Sequence, residues 1–217
     1  MAEVALDRHD RQTPARKAVV RNEILDAAAV CFSNKGFAAT SINDIADLLA
    51  ATKGRVYHHY RSKADLFFDV HLCAMEMDFA AIRGGAARGT TPIERLHEMA
   101  LAHVHIIMEE NDYQRVAMQG VQMHLVGSTS PDQRRTLALI LSQRDEYEGL
   151  FREHIAAGIA RGDFPAQDDS VSAKAFLGVL NWVTLWFRPR AGQTPEQRAA
   201  IARDTAAFAI RGLGGQA

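Results

Sequence analysis

Helix-capping residues recur along this chain, and they constrain its fold more than any other feature of the sequence. Ser41-Ile42-Asn43-Asp44 and Ser62-Lys63-Ala64-Asp65 have the capping-box layout, with Asp as the acidic member. Pro92, Pro131 and Pro195 each follow a Ser or Thr, as expected for the first residue of a helix. Apolar residues between these signals recur at helical spacing, and no segment reads convincingly as a strand. The sequence therefore predicts an all-α fold.

The predicted helices are separated by glycine or by capping residues. Gly36 ends the first, Gly84-Gly85 weaken the fourth, and the Gly- and Ala-rich segment 83–90 reads as a connector. The predicted helical segments are 18–35, a short helix opened by Ser41, a short helix from Thr52 through Tyr60, one opened by Ser62, one opened by Thr91, one from Ser130 to near Gly162, 169–187 and 195–211.

Composition and length favour a folded protein without disulfides or membrane spans. The chain has 217 residues, 47% of them apolar, so it can bury a sizeable core. It has two cysteines, Cys31 and Cys73, which indicates a reducing compartment. No secretory apolar region is found in residues 1–17, and the longest uncharged apolar stretch, 175–187, is too short to span a bilayer. We expect a cytoplasmic protein.

Charge is distributed unevenly although the formal net charge is −1. Residues 1–64 hold ten Lys or Arg against seven Asp or Glu, whereas the remaining residues hold fifteen against nineteen. The segment from Leu48 to Ala64 contains four Lys or Arg and two His and has no carboxylate. Such a local positive patch indicates an anionic partner near the amino end.

Residues 18–64 have the layout of a helix-turn-helix DNA-binding unit. The second helix must pack on the first, and Ile45, Ala46 and Leu49 give it the apolar side that this requires. Val56 and Tyr60 give the third helix only a thin apolar side, which leaves its outer side available for the major groove of DNA. The candidate DNA-binding residues are Ser41, Thr52, Lys53, Gly54, Arg55, Tyr57, His58 and Lys63.

This segment resembles the DNA-binding domain of the tetracycline-repressor (TetR) family over roughly residues 20–70. The resemblance rests on Ser41-Ile-Asn-Asp-Ile-Ala-Asp and on Thr52-Lys-Gly-Arg-Val-Tyr-His-His-Tyr-Arg-Ser-Lys-Ala-Asp-Leu66. It implies that Lys53, Tyr57, His58 and Lys63 contact phosphates or position the recognition helix. Thr52 and Arg55 would then contact base edges, with Arg55 preferring guanine.

The turn between the second and third helices departs from the family pattern. The family usually has Gly followed by an aliphatic residue there, whereas this chain has Ala50-Ala51. Because Ala adopts a left-handed conformation only at a cost, the sequence leaves the geometry of this turn open.

The resemblance implies three segments: a flexible N-terminal arm over 1–17, the helix-turn-helix domain over 18–64 and a helical effector-binding and dimerisation domain over 65–217. The helix predicted over 169–187 is apolar all round, so it needs burial on both sides. In the family the last two helices form a dimeric four-helix bundle. We therefore expect a homodimer through the helices near 169–187 and 195–211, matching a palindromic operator.

A second, shorter resemblance concerns the effector. The segment from Asn181 to Arg190 is similar to that of family members that regulate fatty-acid and steroid catabolism and respond to acyl-coenzyme A (acyl-CoA) thioesters. Such a ligand needs an apolar tunnel and cations for its phosphates. The candidate ligand-binding residues are Met108, Tyr113, Met118, Met123, Phe151, Trp182, Arg188 and Arg190.

Other functions remain as alternatives. No Gly-rich phosphate loop, Gly-x-Ser-x-Gly or His-Glu-x-x-His motif is present, and Glu94-x-x-His97 stands alone, so we expect no catalysis, metal or cofactor. A repressor that responds to aromatic or cationic drug-like compounds fits the same residues. A small-molecule-binding helical bundle that docks on a protein partner through its basic end is the alternative from another class.

Overall fold

The computed structural model describes residues 14–123 and 130–215, and every regular element within those residues is an α-helix. The all-α prediction is therefore confirmed for the described part of the chain. The helices are α1 Pro14–Ala39, α2 Ile42–Leu48, α3 Lys53–His59, α4 Lys63–Ala86, α5 Pro92–Glu109, α6 Asn111–Met123, α7 Pro131–Arg161, α8 Asp169–Asn181, α9 Val183–Trp186 and α10 Pro195–Gly212.

Most helix boundaries follow from the local signals in the sequence. The hydroxyls of Ser41, Thr91, Ser130 and Thr194 each accept a hydrogen bond from the backbone N–H three residues later, completing capping boxes at α2, α5, α7 and α10. Gly36 has φ 78° and interrupts the helical conformation of α1, as predicted. These signals depend on neighbouring residues alone, which is why the sequence was sufficient to locate them.

Three predicted boundaries differ from the structure. Four residues of the predicted arm over 1–17, beginning at Pro14, belong to α1, and the rest of that arm lies outside the described residues. Helix α4 continues through Gly84-Gly85 to Ala86, because Gly85 is packed against α5, where a Cβ would come within 2.7 Å of the Glu98 carbonyl oxygen. The helix predicted over 169–187 is divided at Trp182, where the Leu185 N–H bonds three residues back in a tighter turn.

Two apolar cores are joined by α4. Leu66, Phe67 and Val70 in the first half of α4 pack in a cluster with α1, α2 and α3. Phe79 and Ile82 in its second half pack with α5, α7, α8 and α10. The boundary predicted after residue 64 therefore lies inside a helix that belongs to both domains.

The turn between α2 and α3 is a Schellman motif with Ala in the position where Gly is usual. The Ala50 N–H donates to Asp47 O at 3.0 Å and the Ala51 N–H donates to Ala46 O at 2.9 Å. Ala50 has φ 48° and is the one non-glycine residue with positive φ among the described residues. The turn thus keeps the usual geometry despite the Ala50-Ala51 departure, and Ala50 bears the strain.

We expect Ala50→Gly to stabilise the protein. A left-handed residue other than Gly costs about 1–2 kcal/mol, whereas Gly costs about 0.5–1 kcal/mol in chain entropy, so the net gain should be about 0.5–1 kcal/mol. For a chain of this size that gain corresponds to a rise of roughly 1–4 °C in Tm. Ala51→Gly is the matched control, since Ala51 has no positive φ, and it should lower Tm. A lower Tm for Ala50→Gly would contradict the assignment of strain to this residue.

Candidate DNA-binding and effector-binding sites

The outer side of α3 is exposed, as the helix-turn-helix pattern predicts. Val56 and Tyr60, at 0% and 6% exposure, fix the inner side of the helix against α1 and α4. Burial raises the pKa of the Tyr60 phenol well above its usual value, so the group stays neutral. The residues left exposed on or beside α3 are Thr52, Lys53, Gly54, Arg55, Tyr57 and His58.

The two predicted capping residues of this unit behave differently. The Ser41 hydroxyl donates to Asp44 Oδ2 at 2.7 Å and accepts from the Asp44 N–H, and Asp44 is also paired with Lys35 Nζ at 2.6 Å. Thr52 occupies the N-cap position of α3, but its side chain makes no capping hydrogen bond, so the predicted Thr52 cap is wrong in that respect. Its hydroxyl is therefore available to a ligand.

Arg55 is held by an acidic residue of α1. Its Nη2 lies 2.7 Å from Glu23 Oε2, and both side chains are roughly half exposed, at 41% and 49%. An exposed pair of this kind contributes about 0–1 kcal/mol, so Arg55 can leave Glu23 for another acceptor at little cost.

Lys63 lies inside the domain rather than on its outer face. Its Nζ donates to the carbonyl oxygens of Phe37 at 2.7 Å, Ala38 at 3.3 Å and Thr40 at 2.7 Å, and it lies 4.5 Å from the Phe37 ring centroid. The three N–H groups of an ammonium are all used in this arrangement. These contacts place Lys63 at the end of α1, in agreement with the positioning role that the resemblance implies as the alternative to a phosphate contact.

Lys63→Ala should consequently act on stability. Loss of the charge-assisted hydrogen bonds to these three carbonyl oxygens should lower the free energy of unfolding by about 2 kcal/mol. The corresponding fall in Tm is about 4–8 °C. Lys35→Ala is the control, because Lys35 forms a surface pair with Asp44 and should change Tm much less. Equal, small effects on Tm in the two variants would show that the Lys63 contacts contribute little.

A cavity of about 350 Å³ lies within the helices of the C-terminal part. This volume is at the lower end of the usual range for small-molecule sites, about 300–1,000 Å³. Burial lowers the pKa of His103 in its wall to about 4, so this imidazole is neutral at physiological pH. The lining residues are His71, Met75, Asp78, His103, Gln114, Ala117, Met118, Arg144, Asp145, Tyr147, Glu148, Lys174, Leu177, Gly178, Asn181 and Thr184.

A surface groove carrying two cations adjoins this cavity. Arg115 and Arg188 line the groove together with Met118 and Thr184, which also line the cavity, so the two spaces share a wall. Burial and the nearby Arg188 lower the pKa of Arg115. Neither arginine forms an ion pair within the part of the chain that the structure describes. On their other side both arginines line a surface depression together with Asp26, Glu109, Glu110 and Asp112. On the groove side, two adjacent guanidinium groups without an ion pair can bind an anion.

An exposed apolar surface lies between α8 and α10. Trp182, Trp186 and Phe208 are 62%, 49% and 61% exposed, and they line a groove of about 620 Å³. Val171 on α8 is also exposed, at 64%. Contiguous exposed apolar surface of this kind is typical of a protein–protein interface.

Comparison with known families agrees with this geometry. Residues 24–70 match the family model described as "Bacterial regulatory proteins, tetR family", and residues 89–213 match "Tetracyclin repressor-like, C-terminal domain". The second match alone covers more than half of the chain. The chain belongs to the TetR family. This TetR-family regulator carries its DNA-binding helix-turn-helix in the N-terminal match, and most of the residues that line the cavity lie in the C-terminal one.

Individual relatives cover most of this TetR-family chain. The HTH-type transcriptional repressor KstR2 of Rhodococcus jostii (strain RHA1) is 27% identical over 194 residues, 89% of this chain and 90% of that protein. The structure of the TetR-family regulator PfmR from Thermus thermophilus is 31% identical with a TM-score of 0.73, covering 88% of this chain and 98% of that one. The structure of AibR in complex with isovaleryl coenzyme A and operator DNA has a TM-score of 0.69 at 23% identity, covering 84% and 96%.

The predicted ligand-binding residues are dispersed in the structure. Met118 lines the cavity and the groove, and Arg188 lines the groove, as a ligand-binding role requires. Met108 and Phe151, at 3% and 0% exposure, are packed in the apolar core and do not line the cavity. These two assignments are corrected, because the apolar pattern alone could not separate core from cavity wall.

The remaining ligand predictions lie away from the cavity. The Tyr113 hydroxyl donates to Asp26 Oδ1 of α1 at 2.7 Å, so this residue joins the two domains. Trp182 is on the exposed α8–α10 surface, and Arg190 is exposed beyond α9. The Met123 side chain lies outside the described residues.

Sequence reasoning missed the polar residues of the cavity wall. Asp78 and His103 occupy buried positions on α4 and α5, each on the apolar side of its helix. The available signal was a polar residue at a position where helical spacing predicts core. Arg115 had no local signal, because its significance comes only from its proximity to Arg188 in space.

Neither a metal site nor a membrane span is found in the described ranges. Residues 14–123 and 130–215 contain no group of three or more His, Cys, Asp or Glu placed to hold a metal ion. No helix in that part of the chain combines the length and the apolar character needed to cross a bilayer.

Proposed function

We propose that this chain is a transcriptional repressor that binds a palindromic operator as a homodimer and is released by an acyl-CoA thioester. The observation that carries the effector assignment is the groove of Arg115 and Arg188, which shares Met118 and Thr184 with the cavity. A ligand with phosphates at one end and a less polar group at the other would occupy both spaces at once. Its site of action is the cytoplasm, where the operator is found.

The DNA-binding face supports the first half of this proposal. Lys53, Tyr57 and His58 are exposed on α3, and the segment from Leu48 to Ala64 contains no carboxylate that would repel phosphate. Lys53 has no ion-pair partner among the described residues, so its charge is available to the duplex. Arg55 and Thr52 lie at the start of the same helix, where base edges are reached in this class of DNA-binding unit.

Lys53→Ala tests the phosphate contact. Loss of one phosphate contact should weaken binding to all duplex sequences and reduce the slope of log K against log salt by about one unit. Arg88→Ala is the control, since Arg88 lies at the far end of α4 in an ion pair with Glu98 and should leave the slope unchanged. Fluorescence anisotropy over a salt series measures both quantities. An unchanged slope for Lys53→Ala would count against contact between this residue and DNA.

The dimer is supported by the exposed apolar surface between α8 and α10. The surface of a monomer seldom leaves several large aromatic side chains exposed side by side, as Trp182, Trp186 and Phe208 are here. A two-fold axis through this surface would pair it with its own copy. Two recognition helices would then match half-sites about 34–36 Å apart.

The effector class is supported by charge as well as by shape. Coenzyme A carries phosphates, and arginine is well suited to bind them with paired N–H groups. The fold neighbour AibR was solved with isovaleryl coenzyme A and operator DNA. The competing ligand is a drug-like cation, which Asp78, Asp145 and Glu148 in the cavity wall would attract. Arg115 and Arg188 at the groove favour the anionic ligand.

A thermal-shift panel distinguishes these effectors. We expect acyl-CoA thioesters to raise Tm and to release labelled operator, whereas free coenzyme A and free fatty acids should do so less, because each occupies only one of the two spaces. A cationic amphiphile serves as the competing arm. Stabilisation by the cation and by no thioester would overturn the acyl-CoA assignment while leaving the DNA-binding assignment intact.

A further inference from the structure

The wall of the cavity is more polar than a hydrocarbon ligand requires. Asp78, His103, Gln114 and Tyr147 line it from four different helices at only 5%, 2%, 6% and 7% exposure. A buried polar group that finds no hydrogen-bond partner costs about 1–3 kcal/mol, so a wall of this kind is unfavourable for contact with an alkyl chain alone.

His103 and Tyr147 belong to a chain of hydrogen bonds in which one acceptor and one donor remain unused. His103 Nε2 lies 3.0 Å from Asn181 Oδ1 and His103 Nδ1 lies 2.6 Å from the Tyr147 hydroxyl. Since Asn181 Oδ1 can only accept, Nε2 carries the hydrogen, and Nδ1 accepts from Tyr147. The Tyr147 oxygen can therefore still accept a hydrogen bond, and the Asn181 amide can still donate.

Asp78 places a buried carboxyl group in the cavity wall. Its Oδ1 accepts from Gln114 Nε2 at 2.7 Å, and it forms no ion pair within the residues that the structure describes. Burial raises the pKa of this carboxyl to about 7, so protonated and ionised forms coexist near neutral pH. The protonated form donates to a keto oxygen, and the ionised form accepts from a hydroxyl.

Tyr147 faces the same part of the cavity as Asp78. Burial raises the pKa of the Tyr147 phenol well above its usual value, and the Asp78 carboxylate adds to that effect. The phenol stays protonated with its hydrogen used on His103, so its oxygen would accept a hydrogen bond from a ligand hydroxyl.

We propose that the acyl group bound in this cavity carries a hydroxyl or keto oxygen, which Asp78 hydrogen bonds and which, as a hydroxyl, also donates to Tyr147, and that an unsubstituted chain binds more weakly. The inference rests on the proposed acyl-CoA effector and narrows it to oxygen-bearing acyl groups. A site that hydrogen bonds a ligand oxygen discriminates against the analogue without it, because the remaining hydrogen-bonding capacity of the buried groups is then unused.

Matched thioesters test this inference on the full-length protein. Octanoyl-CoA is compared by titration calorimetry with octanoyl-CoA bearing a hydroxyl or keto group on its third or last carbon, and the series is repeated with shorter and longer chains. At least one oxygen-bearing thioester should bind ten-fold or more tightly than its unsubstituted partner. Equal or tighter binding of the unsubstituted partner in every pair would overturn the inference alone. Absence of binding by every thioester would overturn the proposed effector class with it.

Variants of the cavity wall locate the discrimination. Asp78→Leu should reduce the preference for an oxygen-bearing thioester to less than three-fold, and Tyr147→Phe should do the same for a hydroxyl-bearing one. Neither variant should weaken binding of the unsubstituted thioester. Asp78→Asn, which keeps the shape and a hydrogen-bonding group, should retain part of the preference. Met108→Leu is the control in the same core outside the cavity and should retain all of it. Operator binding reports that each variant is folded. If Asp78→Leu does not fold, Asp78→Asn and Tyr147→Phe together are enough to test the inference. An unchanged preference in both of these variants would overturn the inference.

Discussion

Trp182→Glu should convert the protein from a dimer to a monomer and reduce operator affinity by about 100-fold or more. In a two-fold interface each substitution occurs twice, so two carboxylates would be buried in apolar surroundings at a cost of several kcal/mol. Operator binding would fall with the dimer, because a monomer brings only one recognition helix to the DNA. Sedimentation velocity at micromolar protein and operator titration measure the two effects.

Leu139→Glu is the matched control for this prediction. Leu139 is 49% exposed on α7 and does not line the α8–α10 groove, so the same chemical change should leave the dimer intact. A Trp182→Glu protein that still sediments as a dimer would exclude this surface as the interface and would require another explanation for its exposed aromatic residues.

The double variant Arg115→Ala, Arg188→Ala should lose effector binding by about 100-fold or more, and each single variant by about ten-fold. A hydrogen bond to a charged group is worth about 1.5–3 kcal/mol, and each 1.4 kcal/mol changes affinity ten-fold. Because neither residue is near α3, operator affinity without effector should be unchanged. Calorimetry with an acyl-CoA thioester and operator release by the same ligand provide the measurements.

Arg190→Ala separates the sequence-based assignment from the structural one. The sequence places Arg190 beside Arg188 as a phosphate ligand, whereas Arg190 does not line the groove. We therefore expect the affinity of Arg190→Ala to match that of the unmodified protein. If Arg190→Ala lost affinity for the thioester and the Arg115 and Arg188 variants did not, the groove would be excluded as the phosphate site.

Local chemistry explains which parts of the fold could be predicted. Capping residues such as Ser41 and Thr194, and Gly36 with its positive φ, act on neighbours within a few residues, so their effects can be predicted from the local sequence. The recognition face of α3 was equally accessible, because its amphipathic pattern lies within one helix. The fold class and the DNA-binding unit were therefore predictable.

The effector site could not be predicted in the same way. Its wall combines single residues from α4 to α9, and neither Asp78 nor Arg115 has a distinguishing neighbour in the sequence. The sequence identified large apolar residues such as Phe151 and Trp182, but periodicity does not distinguish the core from an exposed interface. Lys63 shows the same limit, since its three carbonyl partners come from a turn more than twenty residues earlier.

The Lys63 ammonium also has a mechanical consequence. Lys63 is the first residue of α4, and its ammonium donates hydrogen bonds to carbonyl oxygens at the end of α1. These bonds connect the two helices at the start of α4. A displacement of α4 would therefore move the helix-turn-helix domain as a rigid body. Asp78 in the cavity wall lies on the same helix. Ligand binding in the cavity would thus change the distance between the two helix-turn-helix domains of a dimer without changing the structure of either domain.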